Sequence, residues 1–452
     1  MGCMIAWPSP FLTRLTESDE LGFQASTVEA SWTVSIMSIG RVFGAVLGAV
    51  LGQYLGNRKG TLLSFVPYAV GWVIFMFAKS VIWADISRFI GGMGSGMTFS
   101  VFSLFIGEVS TAKYRGAIIS VALIGSPAGS VITSALGAEM SLPEFSQTFF
   151  ILDLVGFVIL LWMPDSPHYL VANGDMESAK RSLRWYRAYD DVDSDLKEVV
   201  QFMESSRGES FWAKINEFRT APHLRKGLII VIMLFVFQQA TGLNSLMSYM
   251  GVILDELAFN LFKRPLVVTF SYVVSTITSI LSTFLIDKWG RKGLEIISCI
   301  GSFIALMMLG TNYLLVDYGV ETEKLQYLTV VSVFAFVGFL FFGMGPVPGA
   351  VLGEVFPSNL KSIAGCLGSM SGAIAGFVSA KTYEPIVKAQ GQTFVFYGHA
   401  ALALIALFFV MIFLPETKGK TLTEIQDMLV GNKDSNNNSK NSLKMKGLRS
   451  PC

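Results

Sequence analysis

Near the middle of the chain, Gln238-Gln239-Ala240-Thr241-Gly242-Leu243-Asn244-Ser245-Leu246-Met247-Ser248-Tyr249 places three amides and several hydroxyls inside an otherwise apolar run. Amides and hydroxyls donate and accept hydrogen bonds without carrying charge. That suits a ligand that is itself a display of hydroxyls, such as a sugar. Within a bilayer, such groups are costly unless they face a wet cavity or a partner. Two solutions therefore stand side by side: a hydroxyl-rich ligand, or a Gln238 or Gln239 bond to a neighbouring helix. Hydrolytic chemistry has no equivalent constellation. His168, His223 and His399 are isolated, and Cys3, Cys299, Cys366 and Cys452 show neither a zinc spacing nor a disulfide framework. No cofactor is expected.

The elements that must position this segment belong to a membrane. Of 452 residues, 52% are apolar and 15% charged, with a mean hydropathy of +0.55. A soluble domain carries a charged fraction near a quarter. Crossing a bilayer core of about 30 Å takes about 20 apolar residues, and such runs begin near Ala30, Thr61, Val81, Gly116 and Thr148, then near Gly227, Pro265, Leu294, Leu325, Ser362 and Thr393. The expectation is an all-α polytopic membrane protein with eleven spans. Gly2 to Leu12 is apolar but about half the crossing length and reads as a truncated first helix. With a net charge of +1 there is no basic stripe for nucleic acid; the expected partners are the lipid bilayer and a small molecule.

The few charges are placed, not scattered. Gln53-Tyr54-Leu55-Gly56-Asn57-Arg58-Lys59 recurs as Asp287-Lys288-Trp289-Gly290-Arg291-Lys292. Glu108 with Arg115 recurs as Glu354 with Lys361, and Pro164-Asp165-Ser166 as Pro415-Glu416-Thr417. A near-constant offset of about 240 residues signals an internal duplication, which sets a binding site between two bundles near the membrane midplane. The expected division is an N-terminal bundle over 1–163, a charged helical insert over 164–226, a C-terminal bundle over 227–414, and a largely disordered tail over 415–452. Most of the Lys and Arg lie on one side if the insert and tail are cytoplasmic, with the insert and tail supplying the bias. Glu108, Arg115, Asp287, Arg291, Glu354 and Lys361 then sit at cytoplasmic helix ends. There they can pair across the bundles in one state and separate in another; anchoring of short loops is the simpler alternative.

Gly40, Gly44, Gly48 and Gly52 recur every four residues and predict close helix packing. Arg41 beside them is expected to pair within the bundle, because an unpaired charge at membrane depth costs at least about 3 kcal/mol. Gly345, Pro346 and Pro348 predict a helix interruption in a charge-free run.

The motifs resemble those of the sugar porters of the major facilitator superfamily. Pro164-Asp165-Ser166-Pro167-His168 is similar to the family's stretch after the sixth helix, and Pro415-Glu416-Thr417-Lys418-Gly419-Lys420 to that after the twelfth. Arg115-Gly116 and Gly290-Arg291-Lys292 strengthen the match. Ala6-Trp7-Pro8-Ser9-Pro10 with Glu29-Ala30-Ser31-Trp32 is similar to the insect facilitated trehalose transporters in particular. The resemblance implies two six-helix bundles working by alternating access, with Gln238, Gln239 and Asn244 holding sugar and Ser248, Tyr249 and Ser275 adjoining them. Ser275 stands where many hexose carriers have Asn. Gly349 stands where the family has the Trp of Gly-Pro-x-Pro-Trp, Gly372-Ala373 where many relatives have Asn-Trp, and Leu123 where the fifth helix carries Gln. The cavity is therefore expected to be wider and less selective for a monosaccharide, suiting trehalose or another large polyol. No acid lies in Gly2 to Leu12, where the proton-coupled members carry one, which points to facilitated diffusion at a plasma membrane. Gln53, Tyr54 and Asn57 replace charged residues in the first basic turn, and with the missing aromatics they keep a non-transporting sugar sensor as the alternative.

Overall fold

The computed structural model describes residues 1–17, 23–111, 115–206, 211–257, 263–357 and 360–430. The chain is built of helices alone among these residues. The first half contains α1 (Gly2–Ala6), α2 (Pro8–Glu17), α3 (Thr27–Leu55), α4 (Asn57–Met76), α5 (Val81–Val109), α6 (Arg115–Gly137) and α7 (Leu142–Trp162). Four shorter helices follow: α8 (Pro167–Ala172), α9 (Met176–Arg187), α10 (Asp193–Ser206) and α11 (Phe211–Thr220). The second half contains α12 (Pro222–Ala240), α13 (Leu243–Glu256), α14 (Arg264–Trp289), α15 (Arg291–Asp317), α16 (Thr322–Phe342), α17 (Val347–Val355), α18 (Lys361–Gln390) and α19 (Gln392–Phe413), with α20 (Leu422–Val430) behind it. Ten stretches of the described residues are long and apolar enough to cross a membrane, with α12 and α13 forming one and α16 and α17 another. Helix α6, of 23 residues, starts within one residue of the remaining expected span. The tail beyond Val430, expected to be disordered, lies outside the described residues.

Local sequence explains where the long helices start and stop. Ser26 and Glu29 form a reciprocal capping box at α3, and Ser141 and Glu144 do the same at α7. The two halves share a matching sharp turn between adjoining helices at a glycine of positive φ: Gly56 at 85° between α3 and α4, and Gly290 at 81° between α14 and α15. These turns define a basic end of the molecule, and Thr27 and Gln390 lie at the opposite end.

The glycine ladder packs α3 against α5. A Cβ at Gly40 would stand 2.0 Å from the Phe89 carbonyl oxygen, and one at Gly44 2.0 Å from that of Met93. Glycines of α5 reciprocate, since a Cβ at Gly96 would meet the Arg41 carbonyl oxygen at 2.1 Å. Arg41 meets an aromatic ring within the bundle. Its guanidinium lies 4.8 Å from the Phe99 ring centroid, and its Nε is buried without a hydrogen-bond partner. A ring face of the neighbouring helix supplies negative potential beside the guanidinium.

Segment Gly2–Glu17 forms α1 and α2, seated inside the first half. Trp7 is fully buried and stacks on Phe75 at 4.6 Å, Arg88 donates to the carbonyls of Met4 and Thr33, and Arg14 donates to Met140 O at 2.9 Å. The short helices dock beneath the first half through α9. Ser182 donates to Asp165 O at 2.6 Å, Tyr186 to Pro164 O at 2.7 Å and Arg187 to Val109 O at 2.9 Å. Burial pushes the Tyr186 hydroxyl pKa well up, which keeps it a donor.

Candidate substrate site and helix-end ion pairs

Two helices of the second half break at the same depth, and the amide-rich segment lies on one of the breaks. Helix α12 ends at Ala240 and α13 begins at Leu243, with Gly242 at φ 101°. Helix α16 ends at Phe342 and α17 begins at Val347, with Pro346 unable to continue the ladder. The Gly345, Pro346 and Pro348 run therefore interrupts its helix as its residues dictate.

A broken helix leaves carbonyls without partners, and Gln238 supplies them. Its Nε2 donates to Met344 O at 2.8 Å and to Gly345 O at 3.1 Å, stapling one break to the other. The bond from this glutamine to a neighbouring helix is thus real. It also leaves Oε1 facing the Gln239 amide, whose Nε2 lies 3.5 Å away. Asn244 Nδ2 reaches Gly376 O on α18 at 3.4 Å and Ser38 Oγ on α3 at 3.3 Å. A Cβ on Gly376 would lie 3.1 Å from Gln239 Oε1, so this glycine is where α18 approaches the amides closely.

The structure brings Gln238, Gln239 and Asn244 together where α12, α13, α16, α17, α18 and α3 converge, at the junction of the two halves. Ser248 is buried on α13, one turn beyond Asn244. Tyr249 is buried with its ring stacked 4.3 Å from Tyr383, and its hydroxyl has no hydrogen-bond partner. Ser275 is fully buried on α14, where its hydroxyl donates back to Tyr272 O at 2.7 Å and is turned into its own helix. Gly349, where a Trp was noted as missing, borders open space: a Cβ there meets nothing within 4 Å.

Charged residues of the second-half basic turn form a compact cluster. Arg291 bridges Asp287 at 2.9 Å and Glu354 at 2.7 Å, joining the end of α14, the start of α15 and α17. Glu416 accepts the backbone N–H groups of Arg291 and Lys292 at 3.1 and 3.2 Å, placing a carboxylate at the N-terminus of α15. In the first half, Asn57 donates to Glu108 Oε1 at 2.6 Å, and Arg58 pairs with Asp165 at 3.1 Å. Arg115 opens α6 and Lys361 opens α18; the side chain of Arg115 lies outside the described residues. These pairs join elements of the same half. Bonds between the halves concentrate at the opposite end: Lys381 Nζ donates to Ser31 Oγ at 2.8 Å and lies 4.0 Å from the Trp32 ring centroid, Lys388 donates to Thr27, and Ser134 and Thr269 are 3.0 Å apart.

Sequence reasoning missed His399 and its partners on Ser245 and Ser379, described below. It also placed Asp165 and Glu416 only in motifs, where spacing gave no hint that each would close a cluster with a basic turn.

Comparison with known proteins shows the family and the fold. The profile of the family described as "Sugar (and other) transporter" matches residues 4–429. The chain is 28% identical over 437 residues to the "Facilitated trehalose transporter Tret1" of Polypedilum vanderplanki, covering 95% of this chain and 86% of the relative. It is 26% identical over 432 residues to the protein of the same name from Culex quinquefasciatus, covering 95% and 83%. Among solved structures, the major facilitator proton:xylose symporter XylE bound to 6-bromo-6-deoxy-D-glucose superposes with a TM-score of 0.76 at 21% identity, covering 95% of this chain and 96% of that one. The chain belongs to the sugar (and other) transporter family, multi-pass membrane carriers of the major facilitator fold that are not enzymes.

Proposed function

We propose that the chain carries trehalose or a hexose across the plasma membrane by alternating access and facilitated diffusion, with the basic end, the helical insert and the C-terminus in the cytoplasm. The observation that carries this reading is the meeting of Gln238, Gln239 and Asn244 on two helix breaks at the junction of the halves. Their remaining acceptors and donors match ring hydroxyls, and the breaks let the flanking helix segments tilt as the cavity changes side. The trehalose-transporter relatives and the open space at Gly349 favour a disaccharide. Ser248, Tyr249 and Ser275 are assigned to the wall of the same cavity. Cross-half bonds at the opposite end, from Lys381 to Ser31 and between Ser134 and Thr269, fit a conformer closed toward the exterior. In this reading Glu108, Arg115, Asp287, Arg291, Glu354 and Lys361 are the gate that exchanges partners when the cavity reopens outward.

Uptake and counterflow of labelled trehalose and glucose into proteoliposomes test the proposal. Entry of trehalose down its gradient with no proton requirement is the expected result, and Gln239→Leu should weaken it about tenfold or more. Saturable binding without counterflow would rule out transport. For the gate, Glu354→Gln should shift the population of outward and inward conformers seen by cysteine accessibility; unchanged labelling would remove the gating role.

A further inference from the structure

His399 occupies the back of the α12/α13 break. It lies on α19, is 9% exposed, and touches both sides of the interruption. Its Nδ1 is 2.8 Å from Ala240 O, the end carbonyl of α12, and its Nε2 is 3.3 Å from Ser245 Oγ on α13. A carbonyl oxygen only accepts, so Nδ1 carries the hydrogen, and in the neutral ring Nε2 is left as an acceptor for the Ser245 hydroxyl. Ser245 Oγ in turn lies 3.1 Å from Ser379 Oγ on α18. Donation therefore runs one way, from Ser379 to Ser245 to His399 to Ala240, and ties together four helices.

The two anchor points are informative. Ala240 follows Gln239 directly and Ser245 follows Asn244 directly, so the imidazole spans the break one residue beyond each of two amides assigned to the sugar. Gly242 makes room for it, since a Cβ there would lie 3.3 Å from the ring. On its other side the ring borders a cavity. A membrane-facing cavity of about 570 Å³, lined by Val236, Ile374, Val378, Phe394, Ser379 and His399 among others, opens between α12, α18 and α19. The orientation of the imidazole rests mainly on its two hydrogen bonds.

We propose that His399 is a positioning residue that fixes the separation and orientation of Gln239 and Asn244 across the break, and so sets sugar affinity without touching sugar. The inference rests on the assignment of those amides to the sugar. The test measures trehalose and glucose KM and maximal rate in proteoliposomes, together with melting of the detergent-solubilised carrier, for His399→Phe, His399→Asn, Ser245→Ala, the Ser245→Ala/His399→Phe double variant, and Gln239→Leu as reference. His399→Phe keeps a ring but loses both bonds and should raise KM about five- to tenfold with maximal rate changed less than about twofold. Ser245→Ala should raise it about two- to threefold, and the double variant should be no worse than His399→Phe alone, because one chain of bonds is being cut. His399→Asn, whose amide can stand in for Nδ1–H toward Ala240, should recover part of the loss. Should His399→Phe fail to fold, His399→Asn and Ser245→Ala carry the same reading. A KM raised by Gln239→Leu but unchanged by the His399 and Ser245 variants overturns the positioning role alone. A KM unmoved by Gln239→Leu overturns the assignment of the site and this inference with it.

Discussion

The two basic turns are built on one plan and filled with different chemistry. Both put a positive-φ glycine between adjoining helices, Gly56 and Gly290, and both draw in a carboxylate from the chain that follows the last helix of their half, Asp165 and Glu416. The residue after the glycine is Asn57 in one and Arg291 in the other. Arg291 meets two carboxylates, Asp287 and Glu354, whereas Asn57 meets Glu108 through a single hydrogen bond and Gln53 stands where Asp287 does. The next residue does the same work in both: Arg58 donates to Leu160 O and Leu161 O at 3.2 and 2.8 Å, and Lys292 donates to Met411 O at 2.8 Å, each tying its turn to the carbonyl end of the half's last helix. Glutamate at 416 is one methylene longer than aspartate at 165. The longer side chain reaches the backbone N–H groups of α15, while Asp165 bonds the side chain of Arg58. Both turns thus dock on the last helix of their half, and at the position after the glycine Arg291 carries a charge where Asn57 does not.

That asymmetry predicts unequal consequences. Arg291→Ala should have the largest effect, because it leaves Glu354, only 28% exposed, without its cation. A loss of about 2 kcal/mol is expected, reduced from the value for a fully buried pair by partial solvation. A melting temperature lowered by several degrees in detergent, with slowed counterflow, would bear this out. Asn57→Ala removes one neutral-to-charged hydrogen bond and should cost about 1 kcal/mol. Equal losses in the two variants would erase the distinction between the halves. Glu416→Gln should follow, since it removes the charge from the α15 N-terminus at a cost of about 1 kcal/mol while keeping an acceptor. Asp165→Asn should weaken the Arg58 pair by a similar or smaller amount. A more damaging Asp165→Asn would show that the first half depends on its ion pair more than the second does on its capped helix.

Much of this plan was legible in the chain. The eleven apolar runs are helical, two of them as broken pairs of helices, because span length and backbone satisfaction in lipid leave little choice of structure. The duplicated turns were visible because Gly, Arg and Lys are conspicuous against an apolar background. Prolines marked the α16/α17 break, whereas the α12/α13 break at Gly242 was not anticipated. What stayed hidden depends on side-chain direction across long sequence separations. Gln238 could be read as a ligand group or a helix staple, and only the position of Met344 and Gly345, about a hundred residues away, shows that its amide hydrogens are taken. His399 looked inert because isolation in sequence says nothing about isolation in space. Arg41 was expected to pair within the bundle, and periodicity could not tell that its partner would be an aromatic face. Ser275 was placed by resemblance, and its hydroxyl is turned to Tyr272 by the ordinary competition of a helical serine for a carbonyl one turn back.

Placing an arginine at the position of Asn57 gives a sharper test than deletion. Asn57→Arg places a guanidinium beside Glu108 in the register of Arg291 beside Glu354, and should stabilise the first half by somewhat under 1 kcal/mol, because Gln53 cannot supply the second carboxylate. If that stabilisation holds the gate in one conformer, counterflow should slow modestly while sugar KM stays unchanged; a faster carrier would mean that the asparagine is not a weakened lock. Lys59→Ala should show the smallest effect. Its Nζ lies 3.8 Å from Asp165, the lysine side chain is 44% exposed, and the same carboxylate is already engaged by Arg58 at 3.1 Å. An exposed pair at that distance contributes about 0.5 kcal/mol or less and is screened by salt. Melting curves of the Lys59→Ala and parent proteins should therefore nearly coincide at physiological ionic strength and separate slightly at low salt. A loss comparable to that of Asp165→Asn would mean that Asp165 serves to gather net positive charge at the turn; coincidence would mean that it serves to hold one guanidinium in a fixed geometry, as Glu416 holds two backbone amides.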